Sequence, residues 1–73
     1  MSDVMSLKQR FAAELRSRRG FLDISQEELA ERSGVNQKSI SQYESELCMP
    51  SLANAVKLAG ALGCTPNDLL GWK

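Results

Sequence analysis

Histidine is absent from the 73-residue chain, and its two cysteines, Cys48 and Cys64, lie far apart without a CxxC pair. Protein zinc sites take most of their ligands from His and closely spaced Cys, so no metal site is expected. Catalysis is equally unexpected, because a nucleophilic cysteine needs an activating base and neither has an evident one. We therefore predict a non-enzymatic protein without a cofactor, whose reduced cysteines pack as small apolar residues.

Long apolar runs and low-complexity tracts are absent as well. No run approaches the ~20 residues of a membrane span, and the N-terminal letters MSDVMSLKQRF lack the apolar segment of a signal peptide. Without Ser, Gly or Pro tracts, nothing indicates disorder. These features predict a single folded domain over residues 1–73, in the cytoplasm and without a membrane partner.

A surplus of positive charge is also missing. Nine Lys and Arg balance nine Asp and Glu, whereas a basic surface is the usual first sign of a nucleic-acid-binding protein. The distribution is uneven, because residues 8–19 hold most of the basic side chains: Lys8, Arg10, Arg16, Arg18 and Arg19, against Glu14. Charge alone leaves two interpretations open, a surface for nucleic acid and a merely solvated helix face.

The apolar spacing predicts short helices and no strand. A first helix should run from about Ser6 to Arg19 and stop near Gly20. Ser25 and Glu28 have the S-x-x-E spacing of a capping box, which predicts a second helix from Gln26.

Three more helices follow in the same way. Gly34 can end the second helix in a tight turn, and Asn36 is a good N-cap for a third helix. Ser51 should cap a fourth helix that ends at Gly63, and Thr65 should cap a fifth helix. The apolar stripe of the amphipathic first helix is Leu7, Phe11, Ala12 and Leu15. In the rest of the chain, the apolar residues expected to face inward are Leu29, Ala30, Val35, Ile40, Tyr43, Leu52, Ala55, Val56, Ala59, Leu62, Leu69 and Leu70.

The second and third predicted helices, from residue 26 to about residue 45, have the spacing of a helix-turn-helix. A Gly-containing turn between helices is equally compatible with an ordinary helical corner. The wider pattern is more specific. LRSRRGFLDISQEELAERSGVNQKSISQYES, followed by Pro50-Ser51 and LAGALGCTPNDLL, resembles the Cro/C1-type (XRE) helix-turn-helix family from roughly Leu7 to Leu70.

This resemblance implies an all-α, five-helix lambda-repressor-like DNA-binding domain of a bacterial or phage-encoded regulator, with the third helix in the major groove. The base-contacting residues would be Gln37, Lys38, Ser41 and Gln42. Gln can pair bidentately with adenine and Lys can donate to guanine. The phosphate contacts would be Gln26, Asn36 and Ser39, with Arg10, Arg16 and Arg18 adding charge along the DNA backbone, although the first helix mostly faces away from the groove.

Arg19 and Glu44 are implied to form a partly buried structural ion pair between the first and third helices. Members of the family often bind pseudo-palindromic operators as homodimers. The candidates for a dimer interface here are Leu47, Cys48, Met49 and Trp72, together with Leu70. The alternative for Leu47, Cys48 and Met49 is burial within the monomer.

The letters SELCM after the third helix depart from the family, which often has Gly and then Lys or Arg there. The departure predicts a differently closed helix end and weaker non-specific DNA binding. Two functions remain open: a sequence-specific transcriptional regulator that acts as a repressor, and a protein-interaction module of the same fold, such as an antitoxin or adaptor. The second is supported by the apolar loop and the zero net charge.

Overall fold

The computed structural model describes residues 6–71 and contains five helices in this part of the chain, without a strand. The predicted all-α architecture of five helices is confirmed. The helices, in chain order, are α1 (Leu7–Leu22), α2 (Gln26–Ser33), α3 (Gln37–Glu44), α4 (Leu52–Leu62) and α5 (Pro66–Leu70).

A side chain just before each helix accepts a hydrogen bond from a main-chain N–H of its first turn, which satisfies one of the donors that a helix start leaves free. The predicted caps Ser25, Asn36, Ser51 and Thr65 all act in this way, and Ser6 does the same for α1. The caps fix where each of these short helices begins.

The predicted capping box of α2 is only half formed. Ser25 Oγ accepts from the main-chain N–H of Glu28 at 3.0 Å. The Glu28 carboxylate does not return to the cap and instead accepts from Arg32 Nη2 at 2.7 Å, one turn further along α2. An i,i+4 pair with a cation competes with the reciprocal cap, and the expectation for Glu28 was wrong.

Helix α1 continues past its predicted stop. Gly20 stays helical, and α1 ends at Leu22 with Asp23 in the left-handed conformation at φ 58°. The main-chain N–H of Asp23 donates to the carbonyls of Arg19 and Gly20. A helical glycine costs only about 0.5–1 kcal/mol relative to alanine, so Gly20 alone does not stop the helix.

The core lies where α1 packs against α3, α4 and α5, and where α2 packs against α3 and α4. Its largest fully buried side chains are Phe11, Leu15, Leu29, Ile40, Leu58 and Leu69. The ring of Tyr43 meets Phe11 edge-on, with centroids 5.6 Å apart. This contact anchors α3 against the central helix α1.

The buried face of helix α4 differs from the apolar stripe that the sequence predicted. Leu52 and Val56 are 80 % and 52 % exposed, whereas Leu58 is fully buried. The buried positions of α4 are Ala55, Leu58, Ala59 and Leu62, which follow the i, i+3, i+4, i+7 spacing of one helix face. Leu52 and Val56 were therefore wrongly expected to face inward.

A Schellman motif closes α3 without glycine. The main-chain N–H of Glu46 donates to the Tyr43 carbonyl at 3.1 Å, and that of Leu47 donates to the Gln42 carbonyl at 2.9 Å. Glu46 occupies the left-handed position of this motif at φ 65°, where glycine is usual because a Cβ is strained there. The letters SELCM therefore place Glu46 at the left-handed position that closes α3, after which the family often has glycine.

Replacing Glu46 by glycine should stabilise the domain by about 0.5–1 kcal/mol, because the relief of left-handed strain exceeds the added freedom of the unfolded chain. The measurement is urea unfolding of Glu46→Gly against the parent protein. Ser45→Gly is the matched control, because Ser45 has an ordinary φ of −92° and its replacement should destabilise. Equal or lower stability of Glu46→Gly would contradict the strain argument.

Candidate nucleic-acid interface

The turn between α2 and α3 sets the angle of the helix pair. Gly34 has φ 77°, and its main-chain N–H donates to the Ala30 carbonyl at 2.9 Å. A Cβ on Gly34 would meet nothing within 4 Å, so the dihedral angle rather than space favours glycine here. Ser33 Oγ accepts from the Val35 N–H at 3.1 Å, which gives this polar residue a role in the turn.

Buried apolar residues hold the two helices together. Leu29 of α2, Val35 of the turn, and Ile40 and Tyr43 of α3 are all buried. The hydroxyl of Tyr43 accepts from Asn54 Nδ2 at 3.0 Å, so α4 also contacts α3 through a polar bond. The inward face of α3 is therefore fixed by α1, α2 and α4.

The residues predicted to contact bases lie on the rest of α3. Gln37 and Lys38 are exposed at its start, and Ser41 and Gln42 are half-buried one turn later. Residues four apart in a helix are neighbours on its surface, so the structure brings these four side chains together on one polar face. We call these four residues the reading face.

The residues predicted to contact phosphate surround the starts of α2 and α3. Asn36 is exposed, and its Oδ1 accepts from the Lys38 N–H at 2.8 Å. Ser39 is half-buried. Gln26 is half-buried as well, and its amide is engaged inside the protein, where Nε2 donates to Glu44 Oε1 at 2.9 Å.

Arg19 and Glu44 meet in a bidentate ion pair. Arg19 Nε lies 2.8 Å from Glu44 Oε2, and Arg19 Nη2 lies 3.0 Å from Oε1. The Glu44 side chain is only 6 % exposed. Its carboxylate therefore receives donors from α1 and α2 at the C-terminal end of α3.

These contacts change the proton affinity of Glu44. Burial alone would raise its pKa, but the hydrogen bonds from Arg19 and Gln26 and the positive charges of Arg19 and Arg16 outweigh this effect and hold the pKa below its ordinary value. The hydrogen bond to Glu44 raises the pKa of Arg19. Both groups are charged at neutral pH.

Sequence reasoning missed several contacts of α3, among them those with Asn54 and Arg16. Asn54 bonds to Tyr43, as described above, and Arg16 Nη1 donates to the main-chain carbonyl of Glu44 at 2.6 Å. Neither residue type nor spacing indicates these bonds, because Asn54 and Tyr43 lie 11 positions apart in the chain and Arg16 and Glu44 lie 28 positions apart. The resemblance had indicated Arg16 only as charge near the DNA backbone.

The loop between α3 and α4 carries the predicted dimer contacts. Leu47 is 68 % exposed and Met49 is 37 % exposed, so burial within the monomer was wrong for Leu47. Cys48 is half-buried and packs against the core, with its Sγ 4.0 Å from Gln42 Oε1. Leu70 packs partly against the core, and Trp72 lies outside the described residues.

Leu47 and Met49 are followed in the chain by the exposed Leu52 and Val56 of α4. We call these four residues the apolar patch. Leu52 and Val56 lie four positions apart and therefore share one face of α4. Exposed apolar side chains that cluster on a small domain are typical of a surface that contacts another molecule.

A groove of about 410 Å³ lies between the ends of α1 and α4, and its lining includes Glu14, Arg18, Phe21 and Leu62. Its two charged residues neutralise each other, because Arg18 Nε lies 3.0 Å from Glu14 Oε1. None of the lining residues comes from α2 or α3. Within residues 6–71, no three His, Cys, Asp or Glu side chains converge as a possible cation site.

The family model of the helix-turn-helix matches residues 15–69, which include α2 to α4, the second half of α1 and most of α5. The chain belongs to the helix-turn-helix family. Among the helices of this family member that the structure describes, none combines the length and apolar character needed to cross a membrane. No curated protein is similar enough to count as a match.

Three solved structures are similar to this helix-turn-helix chain. A hypothetical transcription factor from Neisseria shares 34 % identity with a TM-score of 0.84, over 89 % of this chain and 75 % of that one. A restriction-modification controller protein from Aeromonas hydrophila shares 35 % identity with a TM-score of 0.80, over 85 % and 94 %. The DNA-binding domain of the P22 C2 repressor shares 37 % identity with a TM-score of 0.77, over 82 % and 79 %.

Acid should destabilise the domain through Glu44. The ordinary pKa of this carboxyl is 4.5 and its folded value is lower, so its stabilisation is complete above about pH 4.5 and is lost as pH falls through the folded pKa. Glu44→Gln should lower the free energy of unfolding at pH 7 by about 2–3 kcal/mol. Urea unfolding at several pH values measures both effects.

The matched control is Glu28→Gln, which removes a carboxylate from an exposed pair with Arg32. Its effect at pH 7 should stay within about 0.5 kcal/mol, as is usual for surface ion pairs. If Glu44→Gln lost as much stability in acid as the parent protein, the carboxylate of Glu44 would not be the acid-sensitive group.

Proposed function

We propose that this protein is a sequence-specific DNA-binding transcriptional regulator that acts as a repressor, with α3 in the major groove of its operator. The observation that carries the proposal is the reading face, a polar set of side chains on a short helix whose other faces are held by the core. Family membership supports it, as do the similar structures, which are described as a transcription factor, a controller protein and the DNA-binding domain of a repressor.

The reading face has the chemistry to distinguish base pairs. A Gln side chain can donate to and accept from adenine at once, and Lys can donate to guanine O6 and N7. Gln37 and Lys38 are exposed at the start of α3, the end of a recognition helix that contacts base edges in this class of motif. Ser41 and Gln42 extend the contact by one turn.

Phosphate contacts would then fix the position of the domain on the duplex. Asn36 keeps its amide group available, because only its Oδ1 is used by the cap of α3. One amide hydrogen of Gln26 is committed to Glu44. Its phosphate contact would therefore use the second amide hydrogen or the main-chain N–H at the start of α2, where the helix dipole favours an anion.

Non-specific binding should be weak compared with that of a basic relative. The loop that follows α3 has Glu46, Leu47, Cys48 and Met49 where the family often places cations. Each phosphate contact that is lost lowers the salt dependence of binding by about one unit of log–log slope. Base contacts must therefore supply a large share of operator affinity.

The apolar patch suggests a homodimer on a pseudo-palindromic operator. Leu47 and Met49, with Leu52 and Val56, offer exposed apolar side chains that a second copy can cover. Two-fold symmetry would place the two recognition helices about 34 Å apart, one helical turn of DNA. Cys48 would lie beside such an interface.

The same patch favours the second candidate, a protein-interaction module in which this surface binds a different protein. Zero net charge fits this alternative too. Titration with duplexes of random sequence at low salt separates the two functions, because electrostatic binding to any duplex is strongest there. A complete lack of binding under these conditions would rule out the DNA-binding function.

Selection from random duplexes should yield a pseudo-palindromic operator. Gln37→Ala and Gln42→Ala should each weaken its binding by about 1–3 kcal/mol and relax preference at one position per half-site. Asn67→Ala, which removes an exposed amide from α5, is the matched control and should bind as the parent does. Unchanged affinity and preference in both Gln variants would show that the reading face is misplaced.

Dimerisation can be tested apart from base reading. Leu47→Glu and Leu52→Glu should each weaken self-association at least tenfold, because a buried charge without a partner is costly. Sedimentation equilibrium measures the dissociation constant of the dimer. Phe21→Glu is the matched control. Phe21 is 89 % exposed, but it lies near the end of α1, where it lines the groove and is not part of the apolar patch. Equal weakening by all three variants, or by none, would contradict a dimer through the apolar patch.

A further inference from the structure

We propose that Arg16 is a positioning residue that holds the C-terminal end of the recognition helix α3, and that it does not contact the DNA backbone. The inference deepens the proposed DNA-binding function and rests on it where base reading is concerned. It starts from the hydrogen bond between Arg16 Nη1 and the main-chain carbonyl of Glu44, at 2.6 Å.

This bond satisfies a group that the helix cannot satisfy itself. Glu44 is the last residue of α3, and carbonyls in the last turn of a helix have no partner within the helix. The Schellman motif supplies donors to the Gln42 and Tyr43 carbonyls. Arg16 supplies the donor for Glu44, and it comes from a different helix.

Arg16 and Arg19 lie three positions apart on α1 and hold Glu44 at two separate points. Arg19 binds the carboxylate, and Arg16 binds the main-chain carbonyl. A side-chain contact constrains the end of the helix only through the rotatable bonds of the Glu44 side chain. A second contact on the main chain fixes the helix axis itself against α1.

The helix needs such support because its own sequence provides little at this end. Its last turn has no basic residue, and Glu46 stands in the left-handed position that favours glycine. The helix has only eight residues, which is too short to be stable alone. A guanidinium beside the last carbonyls places positive charge where the helix dipole is negative.

The two ends of the reading face should therefore depend on Arg16 to different extents. Gln37 and Lys38 follow the Asn36 cap, whose Oδ1 holds the Lys38 N–H at 2.8 Å. Ser41 and Gln42 lie closer to the end that Arg16 holds. Loss of the Arg16 bond should disturb the base contacts of Ser41 and Gln42 more than those of the first turn.

The experiment compares Arg16→Gln and Arg16→Lys with the parent protein. In the free protein, amide hydrogen exchange of the last turn of α3 should become about three- to tenfold faster in Arg16→Gln, while exchange in α5 stays unchanged. Arg16→Lys keeps the charge and a donor, and should restore most of the protection. This measurement needs no DNA, so it tests the helix anchor even if the DNA-binding proposal fails.

On the selected operator, Arg16→Gln should bind about three- to tenfold more weakly with an unchanged salt slope. Discrimination should fall at the base pair read by Gln42 and persist at the one read by Gln37. A general loss of stability would not produce this difference between positions. Arg32→Gln is the matched control, because it removes an equal charge from an exposed pair with Glu28.

Two results would overturn the proposal. A salt slope reduced by about one unit, with uniform weakening across operator variants, would identify Arg16 as a phosphate contact. Unchanged exchange at the end of α3 in Arg16→Gln would show that the bond to Glu44 does not hold the helix.

Discussion

The buried carboxylate of Glu44 is the constraint on which the arrangement of α1, α2 and α3 depends. A charge removed from water is costly unless it is paired and hydrogen-bonded, and Glu44 is only 6 % exposed. Its donors come from Arg19 on α1 and Gln26 on α2. The three helices must be docked together for the carboxylate to be satisfied, so a charge-assisted network fixes their relative orientation more strictly than apolar packing alone would.

The local features of the fold were largely readable from the sequence. Ser25, Asn36, Ser51 and Thr65 cap their helices as predicted, because capping involves residues only two or three positions apart. Errors arose where a local signal was too weak to decide the structure or competed with another contact. Gly20 was expected to stop α1, but its backbone continues the helix at small cost, and Glu28 was expected to complete a cap but pairs with Arg32.

Contacts between distant segments escaped sequence reasoning. The spacing of apolar residues in α4 did not show which flank meets the core, so Leu52 and Val56 were assigned inward although they are exposed. The reading face followed from a resemblance, and the structure brings its four members to one side of α3. The bond from Arg16 to the Glu44 carbonyl and that from Asn54 to Tyr43 follow from tertiary docking, which no local pattern encodes.

The capping of every helix by its preceding side chain also bears on how the chain folds. Because each start is specified by neighbouring residues, helical turns can form transiently before the chain has closed any long loop. Small helical domains with mostly local contacts reach the native state in roughly microseconds to milliseconds. The contacts between Arg19 and Glu44 join residues 25 positions apart. We therefore expect them to form late, when partly formed helices pack against one another.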